Sequence, residues 1–308
     1  MPRVSVLLTC YNHLEYLPAC VEGLLAQTMG DFEVVALDDG SADGTRDWLR
    51  ANLGADPRVR LEFNSQNLGT YGTLNRGLEL ATARYVAILN DDDVWLPEKL
   101  DRQVADLEAN PRAALSHTGG WFIDGQGARI EGAPLGFPFP RTPGGDVYAL
   151  LIGYNKIIAS SALFRRDVVA ETGPFDAGFY GCGDWHMWLR IAERHEVEYV
   201  DEPLTLYRIH GENACLDVDR MNRDSLLIRK WLSGRVPSLA SRLRHDRELR
   251  AAFVHNWACL GTELVWAGEA AEGRRAYLES LRLQPTRFKS LLRLAASFLP
   301  RRAFRALR

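Results

Sequence analysis

The first 118 residues alternate short β-branched runs with stretches of helical periodicity, and that alternation leaves few folds open. VSVLLT (Val4–Thr9) reads as a strand, and Leu14, Leu17, Val21, Leu24 and Leu25 then recur at helical spacing. FEVVALD (Phe32–Asp38) is the next strand, followed by a helix carrying Trp48, Leu49 and Leu53 on one face. VRLEF (Val59–Phe63) precedes a helix over 71–81, and ARYVAILN (Ala83–Asn90) precedes a helix that Pro97 opens and that runs to Ala109. The last of these strands is nearly all apolar, as a parallel strand buried on both faces should be. A βαβαβαβα order predicts an α/β fold with a mostly parallel, Rossmann-like sheet and helices on both faces. Ligands of such sheets sit beyond the carboxyl ends of the strands.

Three polar clusters fall there. Thr9-Cys10-Tyr11-Asn12 follows the first strand, Asp38-Asp39-Gly40-Ser41 the second, and Asn90-Asp91-Asp92-Asp93 the fourth. Three adjacent carboxylates repel one another, and a bound cation with hard oxygen ligands is the simplest reason to gather them. Helix capping is the plain alternative, since acids favour helix N-termini and Asp93 lies just before the Pro97 helix. Capping accounts for one acid of the three. A turn and cap likewise explain Ser41 or Asp43 better than the pair Asp38 and Asp39.

Beyond residue 112 the pattern is mixed. ALSHTGGWFIDGQGARI predicts a strand and a hairpin turning at Asp124-Gly125. Residues 132–145, rich in Gly and Pro, predict an irregular, mobile loop. Asp184–Arg194 reads as a helix, with Asp184 at its start and Trp185 and Trp188 three apart, and Leu204–Ile209 as a short strand ahead of His210. From Asp217 the pattern is helical. GEAAEGRRAYLESLRLQP resembles half of a tetratricopeptide unit, but a single such unit falls short of the roughly three that an array needs, so a helical appendage is expected. From Arg282 to the end there are eight Arg or Lys residues and no acid, interleaved with Leu and Phe, although Pro300 interrupts the spacing. This basic amphipathic tail predicts either packing on the preceding helices or peripheral contact with the inner face of a membrane.

The bulk properties narrow the function classes. A net charge of -3 supplies no basic field for nucleic acid, so no nucleic-acid partner is expected. No run approaches the roughly 18 apolar residues of a membrane span, and the opening residues carry no signal-peptide pattern. The five cysteines are scattered and never in CxxC spacing, which suits a reducing compartment and a cytoplasmic protein.

Taken in order, MPRVSVLLTCYNHLEYLPACVEGLLAQTMGDFEVVALDDGSADGT, NLGTYGTLNRGLELATARYVAILNDDDVWLPEKL, GDWHMWLRIA and LYRIHGEN resemble the family 2 glycosyltransferases, in particular the inverting, spore-coat-type enzymes of GT-A fold. The resemblance covers about residues 3–213. It implies a GT-A domain over 1–215, with a nucleotide-sugar half to about residue 110 and an acceptor half after it, and a helical region over 216–308. Thr9, Tyr11 and Asp39 match positions that hold the nucleobase, with Asn12 and Asn67 beside them. Asp91 matches a ribose or diphosphate contact. Asp92 matches the principal ligand of a divalent metal, Mn2+ or Mg2+, with Asp93 as a candidate further ligand and His210 at a position that touches the metal or the diphosphate. Asp184 matches the general base, and Trp185 next to it a donor contact. Two positions depart from the pattern: Asn90 replaces the first acid of the Asp-x-Asp motif, which leaves open whether Asp91 or Asp93 assists Asp92, and Leu74 replaces an arginine for which Arg76 is a candidate substitute.

The chemistry implied is transfer of a sugar, with inversion, from a UDP- or dTDP-linked donor to a hydroxyl on a saccharide, lipid-linked or protein acceptor. Acceptor choice falls to the loops 132–156 and 211–222. A sugar-phosphate nucleotidyltransferase is the nearest enzymatic rival, but the stretch TCYNHLEY lacks the glycines of a phosphate loop. A non-catalytic nucleotide-sugar binder is the other, and the presence of Asp184 counts against it.

Overall fold

In a computed structural model describing residues 2–299 and 304, the predicted alternation is realised almost residue for residue in the first third of the chain. Strands β1 (Val4–Cys10), β2 (Phe32–Asp38), β3 (Val59–Phe63) and β4 (Tyr85–Asn90) alternate with helices α1 (Leu17–Leu25), α2 (Thr45–Leu53) and α3 (Gly69–Leu80). The strands pair in parallel in the order β3-β2-β1-β4. Every residue of β1 is buried, whereas β3 at the margin is half-buried. One apolar core joins Val6 and Leu8, Val34 and Ala36, and Ala87 and Leu89 to Leu17, Val21 and Leu24 of α1 and Leu49 of α2.

Past β4 the sheet changes character. Strand β5 (Val94–Trp95), helix α4 (Lys99–Ala109), strand β6 (Ala113–Ile123) and strand β7 (Arg129–Ile130) follow. After an irregular stretch come helix α5 (Tyr148–Gly153), strand β8 (Ala162–Arg165), helix α6 (Val168–Thr172), helix α7 (Gly183–Ala192) and strand β9 (Glu196–Arg208). The full order is β3-β2-β1-β4-β8-β6-β9-β5, with β7 paired to β6. Strand β8 is antiparallel to both β4 and β6, β5 is antiparallel to β9, and β6 and β9 run parallel. The sheet is therefore mixed where a mostly parallel one was expected. The expected strand over 204–209 is the second half of the longer β9. Its register against β6 slips near Pro203, which cannot donate to the ladder and so sits at an irregularity. The hairpin after β6 turns over Asp124–Gly127, with Gly127 at φ 84 rather than Gly125 taking the left-handed conformation.

The chain divides into two compact units: residues up to 147 together with 156–217, and residues 148–155 together with those from 218. The second holds α5 with helices α8 (Val218–Arg235), α9 (Ala240–His245), α10 (Arg247–Ala267), α11 (Ala270–Leu283) and α12 (Phe288–Ala296). Asp246 caps α10 by accepting the Leu249 N–H at 2.8 Å, and Gly268 ends it in a left-handed turn. Of the basic tail expected over 282–308, Pro300 and most of the residues after it lie outside the described residues. Among the described residues no helix is long and apolar enough to cross a membrane.

Candidate active site

The register of the parallel strands brings the three polar clusters to one edge. Thr9 lies opposite Asn90, and Cys10 opposite Asp38. The chain then turns in step: the Asp39 N–H donates to the Cys10 carbonyl at 2.8 Å, and the Asp91 N–H to the Thr9 carbonyl at 3.1 Å. The Thr9 hydroxyl donates to Asn90 Oδ1 at 3.2 Å. Tyr11 stands at this edge with its side chain 44% exposed, open to stacking. Asn12 has φ 56, the only left-handed non-glycine among the described residues, and its Oδ1 accepts the Ala42 N–H at 2.8 Å, tying the first cluster to the second.

The aspartates differ in what remains of them once the protein's own bonds are made. Asp38, fully buried, receives the Ser41 N–H on Oδ1 and the Arg46 guanidinium on Oδ2. Asp39 receives the Asn64 side-chain amide and the Leu68 N–H on Oδ1, each at 2.8 Å, and its Oδ2 accepts nothing from the described residues. Asp91 is engaged on both oxygens, by His13 Nδ1 at 2.9 Å and by the Tyr11 N–H at 2.9 Å. Burial works against a charged His13, but the bond and charge of Asp91, with Asp92 and Glu212, lift its pKa to about 9. Asp92 meets His210 Nε2 at 3.0 Å through Oδ2, while its Oδ1 is bonded to no group among the described residues. Asp93 is fully buried; Oδ1 receives the Arg208 N–H at 2.9 Å, and Oδ2 has no partner among the described residues. Burial, and then the neighbouring Asp92, hold its carboxyl well above the usual range.

His210 is braced rather than loose. Its Nδ1 accepts the Glu212 N–H at 3.3 Å, so the neutral ring carries its proton on Nε2 and donates it to Asp92. His13 and Tyr16 pack against the ring with centroids 4.9 Å away. Arg208 fastens the whole turn, donating to the Asp92 carbonyl at 2.8 Å and to the carbonyls of Asp124 and Gly125. Among the described residues no three His, Cys, Asp or Glu side chains gather as a ready-made cation cage. Asp92, with one open carboxylate oxygen beside an imidazole, is the position whose hard oxygen donor suits Mn2+ or Mg2+. Asp93, expected as a further ligand, accepts the Arg208 N–H on Oδ1 and keeps Oδ2 without a partner among the described residues.

Asp184 comes to this edge from the other half of the sheet. It sits in the first turn of α7, 7% exposed, and receives the Trp185 N–H on Oδ1 at 2.6 Å. The Tyr71 hydroxyl lies 3.5 Å from the same oxygen. Tyr71 belongs to α3, whose entry is bonded to Asp39 through Leu68, so the base candidate and the nucleobase candidate hang from one helix. The fit is close at Gly183: any Cβ there would come within 2.7 Å of the Tyr71 ring. Trp185 is buried, and Trp188 is core, its indole N–H donating to the Ile157 carbonyl at 3.2 Å. Asn67 is exposed and accepts the Gly69 N–H at 2.9 Å, shaping the start of α3. Leu74 is buried; Arg76 bonds to Asn64 and Glu62, which ties it to Asp39 through Asn64. His13, Asn64, Tyr71 and Arg208 were not singled out in the sequence. Only His13 left a signal there, an imidazole in the same short turn as Tyr11 and Asn12.

Comparisons with known proteins bear on the family and the fold. The family model Glycosyl transferase family 2 matches residues 5–172. A putative teichuronic acid biosynthesis glycosyltransferase of Bacillus subtilis, TuaG, is 36% identical over 231 residues, which are 75% of this chain and 83% of that protein. Against four further curated glycosyltransferases, all uncharacterized, the chain spans between 29% and 66% of their length. Among solved structures, S. aureus TarS 1-349 in complex with UDP-GlcNAc has a TM-score of 0.63 at 13% identity, covering 99% of this chain and 92% of that one. A mannosyltransferase of Pyrobaculum calidifontis in complex with GDP-Man and Mn2+ has a TM-score of 0.60 at 18% identity, covering 99% and 86%. These likenesses establish the GT-A fold, and the family match establishes the lineage: the chain belongs to the family 2 glycosyltransferases.

Proposed function

We propose that the protein transfers a sugar, with inversion, from a UDP- or dTDP-linked donor to a hydroxyl of a saccharide acceptor in envelope polysaccharide synthesis. The observation that carries this reading is that Asp39, Asp92 and Asp93 each keep one carboxylate oxygen outside the bonding of the described residues, at the strand ends where Tyr11 is exposed. Asp39 Oδ2 is the acceptor for a nucleobase N–H, and the exposed Tyr11 ring is the stacking surface. Thr9, Asn12, Asn67 and Asp91 shape the walls of the nucleoside and ribose subsite, and Trp185 backs the base. Asp92 anchors a divalent cation, with His210 holding its other oxygen in place. The Mn2+ in the mannosyltransferase complex and the UDP-GlcNAc in the TarS complex support a metal and a uridine donor. The name of TuaG supports a polysaccharide acceptor.

A cation at Asp92 supplies Lewis-acid neutralisation of the departing diphosphate. The chain's own part is positioning and proton removal. Asp184 takes the acceptor hydroxyl proton as that oxygen attacks the anomeric carbon from the face opposite the diphosphate, a contribution of roughly 10²–10⁴-fold. The Trp185 N–H and Tyr71 hydroxyl orient the Asp184 carboxylate through Oδ1. The scattered spacing of the five cysteines supports action in a reducing, cytoplasmic setting.

Nucleotide release from UDP- and dTDP-sugars, with and without saccharide acceptors and with Mn2+ or Mg2+, tests the proposal. A donor at 100 times its dissociation constant should also stabilise the fold by about 2.7 kcal/mol. Donor binding with no acceptor-dependent release across the panel would point to a non-catalytic nucleotide-sugar binder instead.

A further inference from the structure

Helix α12 turns its serine inward and most of its large apolar residues outward. Ser290 and Ser297 are buried, and the Ser290 hydroxyl pairs with that of Ser280 at 2.9 Å. Leu294 is the one large apolar side chain of the helix that packs inward, against Val265, Tyr277 and Phe304, and Arg293 Nη1 donates to the buried Thr262 hydroxyl at 3.3 Å. The opposite face presents Phe288, Leu291 and Leu292, exposed by 66%, 52% and 52%, at the i, i+3, i+4 spacing of one helical stripe. Phe298 and Leu299 extend the stripe past the helix end, exposed by 72% and 49%. A contiguous apolar ridge of this kind on a water-facing helix marks a contact surface.

The charges around the ridge say what it contacts. From Arg282 to Leu299 the chain carries Arg282, Arg287, Lys289 and Arg293 and no acid. Arg282 pairs with Glu279 at 2.9 Å, but among the described residues Arg287, Lys289 and Arg293 pair with no carboxylate. Arg274 lies over the Phe298 ring at 4.7 Å, adding a further cation to the rim. A second copy of this face would set cations against cations, because a two-fold contact brings the same patch together. A sheet of anionic phosphates over an apolar layer complements both features at once.

We propose that α12 docks the protein on an anionic membrane surface, with the Phe288–Leu291–Leu292 ridge in the boundary between headgroups and acyl chains and Lys289 and Arg293 at the phosphates. This surface is independent of the transfer chemistry. The test is co-sedimentation of the full chain with vesicles of phosphatidylcholine alone or mixed with phosphatidylglycerol. Wild type should pellet with the mixed vesicles at low salt and stay in the supernatant with phosphatidylcholine. Leu291→Glu/Leu292→Glu should remain in the supernatant with both. Lys289→Gln/Arg293→Gln should bind the mixed vesicles about thirtyfold more weakly, from the loss of two interfacial charges. All four positions are exposed, and far-UV circular dichroism checks that both variants fold. Wild type left in the supernatant with anionic vesicles overturns the proposal, as does a Leu291→Glu/Leu292→Glu variant that pellets as wild type does. So does a dimer, seen by light scattering, that this variant dissolves while no form binds vesicles; the ridge then belongs to a second copy.

Discussion

The two halves of the α/β unit reach the same edge by different means. In the parallel half, β1, β2 and β4 deliver their residues directly at strand ends, and register alone aligns Thr9 with Asn90 and Cys10 with Asp38. In the mixed half, Asp184 comes from the start of a helix and His210 from just past β9, and both are positioned by side chains reaching across from elsewhere. The difference teaches that a parallel sheet places a binding site by backbone geometry, whereas the chemistry opposite it depends on packing between distant segments.

The division between the halves breaks first at Asp92. Asp92→Asn removes the anionic oxygen at the open position, and calorimetry with UDP and Mn2+ should find nearly all metal-dependent binding gone. Binding as tight as wild type would take the metal away from the parallel half. Asp184→Asn should separate the halves: donor affinity stays near wild type while turnover falls at least about 10²-fold. If donor binding collapses as well, the two halves do not divide the labour as described.

Gly183→Ala strikes the joint between them. The new methyl group meets the Tyr71 ring at 2.7 Å, and overpacking of that kind costs about 1–3 kcal/mol, measurable by urea unfolding. The effect should appear in turnover too, because the ring carries the Asp184 contact. A further test, confined to acid pH, concerns the interior of the mixed half. Burial, and then the charge of Lys99, lower the His117 pKa from 6.5 to about 3. A base with a depressed folded pKa leaves the unfolded chain binding more protons, so stability falls as pH drops from 6.5 toward 3. Relative to His117→Gln, wild type should lose up to about 1.4 kcal/mol per pH unit in that window. A constant gap between the two proteins would mean that His117 is not held neutral.

Legibility in the sequence followed the same division. Asp39, Asp91 and Asp92 stand out because each follows an apolar run whose strand character is unmistakable, and the β2 and β3 bounds were readable to the residue. Strand β8 is four residues long and β5 only two, too short for any periodicity to emerge. The first half of β9 was hidden by Asp201, Glu202 and Pro203, residues that oppose a regular strand and that the structure accommodates at a register slip. Whether a carboxylate is open or spent was not legible at all. Asp38 and Asp39 are adjacent and identical in type, and only the reach of Arg46 to one and of Asn64 to the other separates them. Tyr71 was readable only as an apolar position of a helix, since its partner lies 113 residues away.

That separation leaves a mark that can be sought in descent rather than in solution. The Tyr71 ring fills the space a side chain at position 183 would need, so neither position is free to drift alone. Among relatives the two should covary, with glycine at 183 wherever an aromatic ring occupies 71, and a larger residue at 183 only where position 71 has shrunk. The helix carrying Asp184 and the helix carrying Tyr71 would then be inherited as a matched pair, and a chimera that joins α3 of one relative to α7 of another should assemble a working edge only when that match is kept.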